Sequence, residues 1–350
     1  MSMVTAAGYL NHWFGSLMTT YNGIDSHKRM VVGVGSALVD ILARENDAFV
    51  EASGAIKGGM TYVEQSHIDS TVAKASDPPR IVPGGSACNT VVGIGQLGGT
   101  ARFVGKCGND DMGQMFSDSL RHQQVEPHLL MSDAPTGRVL SIITPDAQRS
   151  MLTYLGAASE IQPEEISSSC FEGAAVVHIE GYLLFNRDLM IRVLQAAQTS
   201  GARISLDLAS FNVVEEASDI LPDLIQRYVD ILIANEDEIQ AFTGMDDERR
   251  ALDALAANVD IGVLKLGARG SVIALNGHHI TIDPVGDGQV VDTTGAGDLW
   301  AAGFLYGLVR QLPIARCGIL GSHCGYSVCK DVGATIAESE WKKIRELLEA

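Results

Sequence analysis

The sequence predicts an α/β fold: a mostly parallel central β-sheet flanked by helices on both faces, with a small β-rich lid. From residue 174 onward, β-rich and helical runs alternate, the pattern of β-α-β units that wind a parallel sheet. Two segments, 43–65 and 134–155, break that rhythm with short β-like runs separated by glycine, proline and polar residues. Hydrophobic residues make up 46% of the 350, enough to bury a large core and to exclude complete disorder.

The elements follow in order. Residues 1–29 carry no charge before Asp25 and lack the basic start and apolar run of a secretory signal, so they read as an extension. Tyr9, Trp13, Phe14 and Tyr21 are the groups that would dock it on the core or on a second subunit. MVVGVGS (30–36) is the first strand and opens a domain over 30–345, with the two lid segments inserted in it. AAVVHIE, ARISLDL and VDILIAN then read as strands, and NRDLMIRVLQAAQT, the stretch near EASDILPDLIQR, and EDEIQAFTG as the helices between them. DIGVLKLG and SVIALNG form a strand pair. VVDTT (290–294) reads as a strand end, followed by a helix from Asp298 and a second apolar helix around Ile319 to Cys329.

Formal net charge is −18, which argues against nucleic acid or an anionic membrane as partner and leaves any anionic ligand to a local site. No window approaches the roughly 18 apolar residues of a membrane span. The six cysteines contain no C-x-x-C pair and read as reduced, packed side chains of a cytoplasmic protein. His278 and His279 are adjacent, so on a strand they point to opposite faces and do not make a metal site.

The chemistry concentrates in Asp292-Thr-Thr-Gly-Ala-Gly-Asp298, followed at once by the apolar run LWAAGFLYGL. If that run is a helix, Gly295, Ala296 and Gly297 form the turn at its N-terminus. Backbone N–H groups there lack intrahelical partners, and the aligned peptide dipoles add positive charge. Small side chains let a phosphate approach those donors closely. Asp298 beside such an anion hole reads as a general base that takes the proton from an attacking hydroxyl. Together they describe phosphoryl transfer to an alcohol.

DTTGAGD and its helix resemble the C-terminal signature of the ribokinase, or PfkB carbohydrate kinase, family. PGGSACNTVVGIGQLGG (83–99) resembles the family's N-terminal glycine-rich signature. The resemblance covers most of residues 30–340 and implies a ribokinase-like fold with Asp298 as catalytic base. It implies that Asn235 and Glu238, as Asn-x-x-Glu, organise Mg²⁺ and the ATP phosphates through water. It assigns Lys265, Gly267 and Gly270 to the nucleotide loop and Ser322 to the adenine side. The backbone at Asp292 and Thr294 would hold a monovalent cation such as K⁺. For the acceptor it points to Asp40, Gly84, Gly85 and Asn89, with Gly58 and Gly59 reaching in from the lid and Arg149 swinging onto the phosphates. Lids of this family often pair between subunits, which implies a homodimer.

The resemblance implies a small sugar or nucleoside as acceptor. SMLTYLGA, HIEGYLL and GGSACNT look most like bacterial adenosine-kinase-like members, which favours a nucleoside or ribosyl substrate over a free hexose. Ser36 departs from the Asn of eukaryotic adenosine kinases. Leu38, Met60, Tyr62 and Tyr154 are available as an apolar wall for a purine. The alternative within the family is a free-sugar kinase of ribokinase, fructokinase or 2-keto-3-deoxygluconate type. A nicotinamide-dependent dehydrogenase lacks its third glycine in Gly33-Val-Gly35-Ser-Ala-Leu38. A catalytically silent sugar-binding module does not explain an intact Asp298 and Asn235-x-x-Glu238.

Overall fold

The computed structural model describes residues 19–146 and 148–349. Its strands are, in chain order, β1 (Met30–Val34), β2 (Leu38–Arg44), β3 (Met60–Tyr62), β4 (Arg80–Gly84), β5 (Ala101–Gly108), β6 (Val125–Ser132) and β7 (Gly137–Ile143). They continue with β8 (Arg149–Tyr154), β9 (Ala174–Glu180), β10 (Arg203–Asp207), β11 (Ile231–Asn235), β12 (Ile261–Lys265), β13 (Ser271–Leu275) and β14 (His278–Ile282). A nine-stranded sheet has the order β14-β13-β12-β11-β10-β9-β1-β5-β6. Every pairing in it is parallel except those of β13, which is antiparallel to β12 and to β14.

The strand runs are apolar without alternation because both sheet faces are covered. Ile231 and Ile233 bury into one core, with helices Ser86–Gln96, Ala296–Val309 and Ile314–Val328. Leu232 and Ala234 bury into the other, with helices Arg187–Ser200, Leu221–Tyr228 and Glu248–Ala256. The helix Ala296–Val309 is apolar all round and buried from Leu299 to its end. Gly303 lets the helix Ile314–Val328 approach it: a side chain begun there would lie 2.7 Å from the Leu320 carbonyl oxygen. The six cysteines are free and buried, as expected.

The lid is a five-stranded sheet of order β3-β8-β7-β2-β4. It is larger than segments 43–65 and 134–155, because β2 begins at Leu38 and β4 lies at Arg80–Gly84. Segment 43–65 also holds a helix, Asp47–Ser53, where only short β-like runs were expected. Asn46 caps it through Oδ1 on the Phe49 N–H, and Gly54 ends it in the left-handed conformation. Two turns with two buried residues, Val50 and Ser53, are too short to leave a period in the sequence. This helix and Gln65–Val72 cover the outer lid face, made by Ile41, Ala43, Leu140, Ile142 and Leu152 with Tyr154. The edges of this lid sheet are β3 and β4.

VVDTT is not a strand: Val290 and Val291 are exposed in an irregular segment between β14 and the helix Ala296–Val309. The segment turns through Gly286 and Gly288, both at positive φ, and no neighbouring strand is left to pair with it. Tyr9, Trp13 and Phe14 lie outside the described residues, but Tyr21 does dock. It is buried in the core and donates its hydroxyl to Asp260 Oδ2 at 2.6 Å. No described helix is long and apolar enough to cross a membrane.

Candidate active site

A cavity of about 920 Å³ separates the inner lid face from the carboxyl ends of the parallel strands, where open α/β sheets place their ligands. Glu180, Asp207, Asn235 and Lys265 are the last residues of β9, β10, β11 and β12, and all four line it. The turn from Thr293 to Asp298 forms the adjoining wall. From the lid come Leu38, Asp40, Met60, Tyr62, Val139, Arg149, Met151 and Thr153. They share one face because strands alternate with period two.

Gly295 is the N-cap of the helix Ala296–Val309, in the left-handed conformation at φ 75°, and offers no side chain to cap it. The Ala296 N–H is engaged with the Thr293 carbonyl at 3.1 Å, and Gly295 and Gly297 on either side of it line the cavity. Asp292 fixes the turn: Oδ1 accepts the Thr294 N–H and hydroxyl at 3.0 and 2.7 Å, and Oδ2 accepts the Gly333 N–H at 2.9 Å. This carboxylate is buried, and no Lys or Arg is paired with it among the described residues.

Asp298 sits in the first turn of that helix and opens to the cavity. Its Oδ1 accepts from Ser86 Oγ at 2.7 Å and its Oδ2 from Asn89 Nδ2 at 2.8 Å. Both partners are neutral, and a carboxylate has about four acceptor sites, so the acid is aimed without being tied into an ion pair. Burial raises its pKa, while the bonds from Asn89 and Ser86 pull the other way, and the net shift is upward. A base with a raised pKa is a better proton acceptor.

Lys265 Nζ is 2.8 Å from Asp207 Oδ2. Burial opposes its charge, but Asp207 and Glu238 outweigh that and hold the ammonium above its ordinary value. A side chain begun at Gly297 would lie 3.0 Å from this Nζ, so the ammonium stands against the glycine turn. Asn235 and Glu238 form a reciprocal capping box: Asn235 Oδ1 accepts the Glu238 N–H at 2.9 Å and Glu238 Oε2 accepts the Asn235 N–H at 2.8 Å. Burial raises the Glu238 pKa, against Lys265 and with Asp207. Glu180 is buried at the end of β9 and accepts the Ser36 and Ala87 N–H groups at 2.8 and 3.1 Å. Burial pushes its pKa up to about 7.

On the lid side, Asp40 is 7% exposed. Burial lifts its pKa to about 6, with Arg149 lowering and Asp298 raising it. Gly85 and Asn89 line the cavity, whereas Gly84 lies behind Asp40: a side chain begun there would be 2.5 Å from the carboxylate. Other residues of the sequence-based set lie outside this cavity. Gly58 donates its N–H to Ser150 Oγ, and the Gly59 carbonyl accepts from Met151 N–H, so both fasten the β3 end of the lid. Gly267 and Gly270 shape the connection from β12 to β13, where a side chain begun at Gly270 would lie 2.1 Å from the Ile282 carbonyl oxygen. Ser322 is buried on the helix Ile314–Val328, with no partner for its Oγ. Tyr154 faces the outer lid core and not the cavity, since it alternates with Thr153.

Sequence reading missed Glu180, Asp207, and the group Tyr182, Phe185 and Asn186 that follows β9 into the helix Arg187–Ser200. The signal for the two acids was there: a single carboxylate closing each apolar strand run, at the end where ligands bind.

Residues 54–341 match the model for the pfkB family carbohydrate kinase. A ribokinase of Arabidopsis thaliana is 27% identical over 343 residues, spanning 93% of this chain and 83% of that one. The crystal structure of adenosine kinase from Sinorhizobium meliloti superposes with a TM-score of 0.83 at 33% identity, covering 91% of this chain and 99% of that one. That of a probable sugar kinase from Rhizobium etli does so at 0.83 and 31%, covering 91% and 98%.

Proposed function

Because the chain belongs to the pfkB family of carbohydrate kinases and is thereby a phosphotransferase acting on a sugar or nucleoside, we propose that it transfers the γ-phosphoryl group of ATP to the primary hydroxyl of an adenosine-like nucleoside. The observation that carries this is Asp298 standing beside an uncapped helix N-terminus on one wall of a cavity, with buried Asp40 on the other. The acceptor lies between the walls and gives hydrogen bonds to Asp40. Asp298 takes the hydroxyl proton as the oxygen attacks phosphorus, and the bond to the ADP oxygen breaks in line. The Gly295 and Gly297 N–H groups and the Lys265 ammonium carry the charge of the transferring group. Arg149 lines the same cavity from the lid.

Mg²⁺ and K⁺ fit the residues present. Asp207, Glu238, Glu180 and Asp298 face one cavity with Lys265 as their basic partner on the core wall, an acidic excess that a polyphosphate deepens and a divalent cation offsets. Among the described residues no three His, Cys, Asp or Glu side chains are grouped to cage a metal. That suits Mg²⁺, which keeps several waters and binds one or two carboxylates with substrate phosphates; Glu238 would hold it, through water. When bound, it neutralises charge between the phosphates. The buried Asp292 carboxylate beside the Thr294 backbone suits a monovalent cation.

A nucleoside is favoured over a free sugar by the apolar surface. Met60, Tyr62, Tyr182 and Phe185 all line the cavity and remain exposed, two from each wall, which suits a flat base more than a hydroxylated ring. ADP release from ATP and Mg²⁺ with a panel of nucleosides and sugars tests the reading. Adenosine is expected to turn over; preference for ribose or fructose would make it a free-sugar kinase, and silence with every acceptor a binding module. Asp298→Asn should lower kcat by about 10²- to 10⁴-fold with acceptor affinity little changed. Asp40→Ala should instead weaken acceptor binding by about 10- to 100-fold. The inverse pattern would exchange the two roles.

A further inference from the structure

We infer that residues 331–335 form a strut coupling the lid to the anion-hole turn, with Leu42 and Ala334 as positioning residues; the inference rests on the kinase reading above. The loop touches the turn at two points. The Gly333 N–H donates to Asp292 Oδ2 at 2.9 Å, and the other oxygen of the same carboxylate holds Thr294. A side chain begun at Gly295 would lie 2.6 Å from Ala334 Cβ, so Ala334 backs the residue that starts the helix.

The same loop touches the lid. Gly333 adopts φ 83°, and a side chain begun there would lie 2.6 Å from Leu42 Cδ1. Leu42, Ile143 and Val332 form a small apolar cluster of their own between the two bodies, with Val82 packed on it. Arg80 Nη2 on β4 donates to Thr335 Oγ1 at 3.3 Å. Leu42 lies two residues beyond Asp40 on β2 and so leaves the strand on the same face. The strand that offers Asp40 to the acceptor therefore presses on the strut one side-chain repeat later. Beside the contact a crevice of about 440 Å³, lined by Arg44, Ile143, Val291 and Val332 among others, gives the lid room to rock.

Packed side chains transmit small displacements because protein interiors compress little. Anion-hole donors act only within a few tenths of an ångström of their proper distance. Acceptor binding that seats the lid thus sets Gly333, Asp292 and the glycine turn in place for the nucleotide. By linkage, each ligand then raises the affinity for the other by the same factor.

Calorimetry with the acceptor that supports turnover and the β,γ-methylene analogue of ATP with Mg²⁺ measures that factor. In the wild type each ligand is expected to tighten the other by at least about five-fold. Leu42→Ala should bring the factor below about two while each ligand alone binds within about three-fold of wild type, and Leu42→Met, which keeps the contact, should restore it. A general packing defect would weaken both separate affinities instead. Should Leu42→Ala fail to fold, Thr335→Val, which removes only the Arg80 bond, is expected to lower the factor by at least about two-fold. A factor near one in the wild type, or unchanged coupling in the folded variants, overturns the strut. Turnover by the wild type with unchanged coupling in the variants sinks the strut alone; no turnover with any acceptor sinks the kinase reading and the strut with it.

Discussion

The two walls of the cavity are built by opposite rules. The core wall is polar and comes from element ends: the last residues of four parallel strands and the first turn of the buried helix Ala296–Val309. Its groups are fixed by one another, Lys265 by Asp207, Asp298 by Ser86 and Asn89, and Thr294 by Asp292. The lid wall is one face of a sheet, where period-two alternation sends Leu38, Met60, Tyr62 and Met151 inward and Ile41, Leu140 and Leu152 outward. The core wall concentrates charge and fixed donors, with Tyr182 and Phe185 as its apolar part, whereas the lid wall offers mainly shape and apolar area. Reaction chemistry belongs to the first and acceptor choice mainly to the second, where Asp40 and Arg149 are the charged groups.

That division can be broken by substitution. Lys265→Met removes an ammonium from the core wall and should lower kcat by about 10²-fold for every acceptor alike, measured at saturating ATP and acceptor. A loss confined to ATP affinity would return the lysine to the nucleotide loop. Tyr62→Ala on the lid should reduce kcat/KM for adenosine by about ten-fold and leave turnover of free ribose unchanged. Equal losses on both would show that the lid wall does not choose.

The smallest effect concerns pH. Glu180 has its pKa raised from 4.5 to about 7 by burial, so the folded state holds a proton that the unfolded state releases. The stability this contributes is fully present below the unfolded value and is lost as pH rises through the folded one. His178, buried with its pKa lowered to about 4, acts in the opposite sense, but only as pH falls below its ordinary 6.5. Glu238, likewise raised to about 7 by burial, acts in the same sense as Glu180, so between pH 6.5 and 8 the two acids together should cost the ligand-free protein about 2 kcal/mol. Denaturant melts at the two pH values check it, and Glu180→Gln should about halve the difference.

The parts legible in the sequence share one property. DTTGAGD could be read because the chemistry of a helix start is local: two glycines, no capping side chain and an acid in the first turn mean the same in any context. The parallel strands could be read because burial on both faces leaves uninterrupted apolar runs such as ILIAN. Glu180 and Asp207 escaped because an acid at the end of such a run looks like any surface residue until the strands are aligned. Tyr62 and Tyr154 looked equivalent, and only the register of β3 and β8, with Met60 opposite Met151, separates them. The strand expected at VVDTT failed because an isolated β-rich run is a strand only when another lies beside it.

The sequence by itself determined the family, the sheet with helices on both faces, and the acid and glycine turn of the proposed base and anion hole, since each rests on contacts within a few residues or on a repeating burial pattern. Tertiary structure alone decided which carboxylates share the cavity, which lid residues face it, and that residues 331–335 join lid to turn. Those depend on hydrogen bonds and packing between residues up to 291 positions apart, as Arg80 with Thr335 and Leu42 with Gly333 illustrate, and no local pattern encodes such distances.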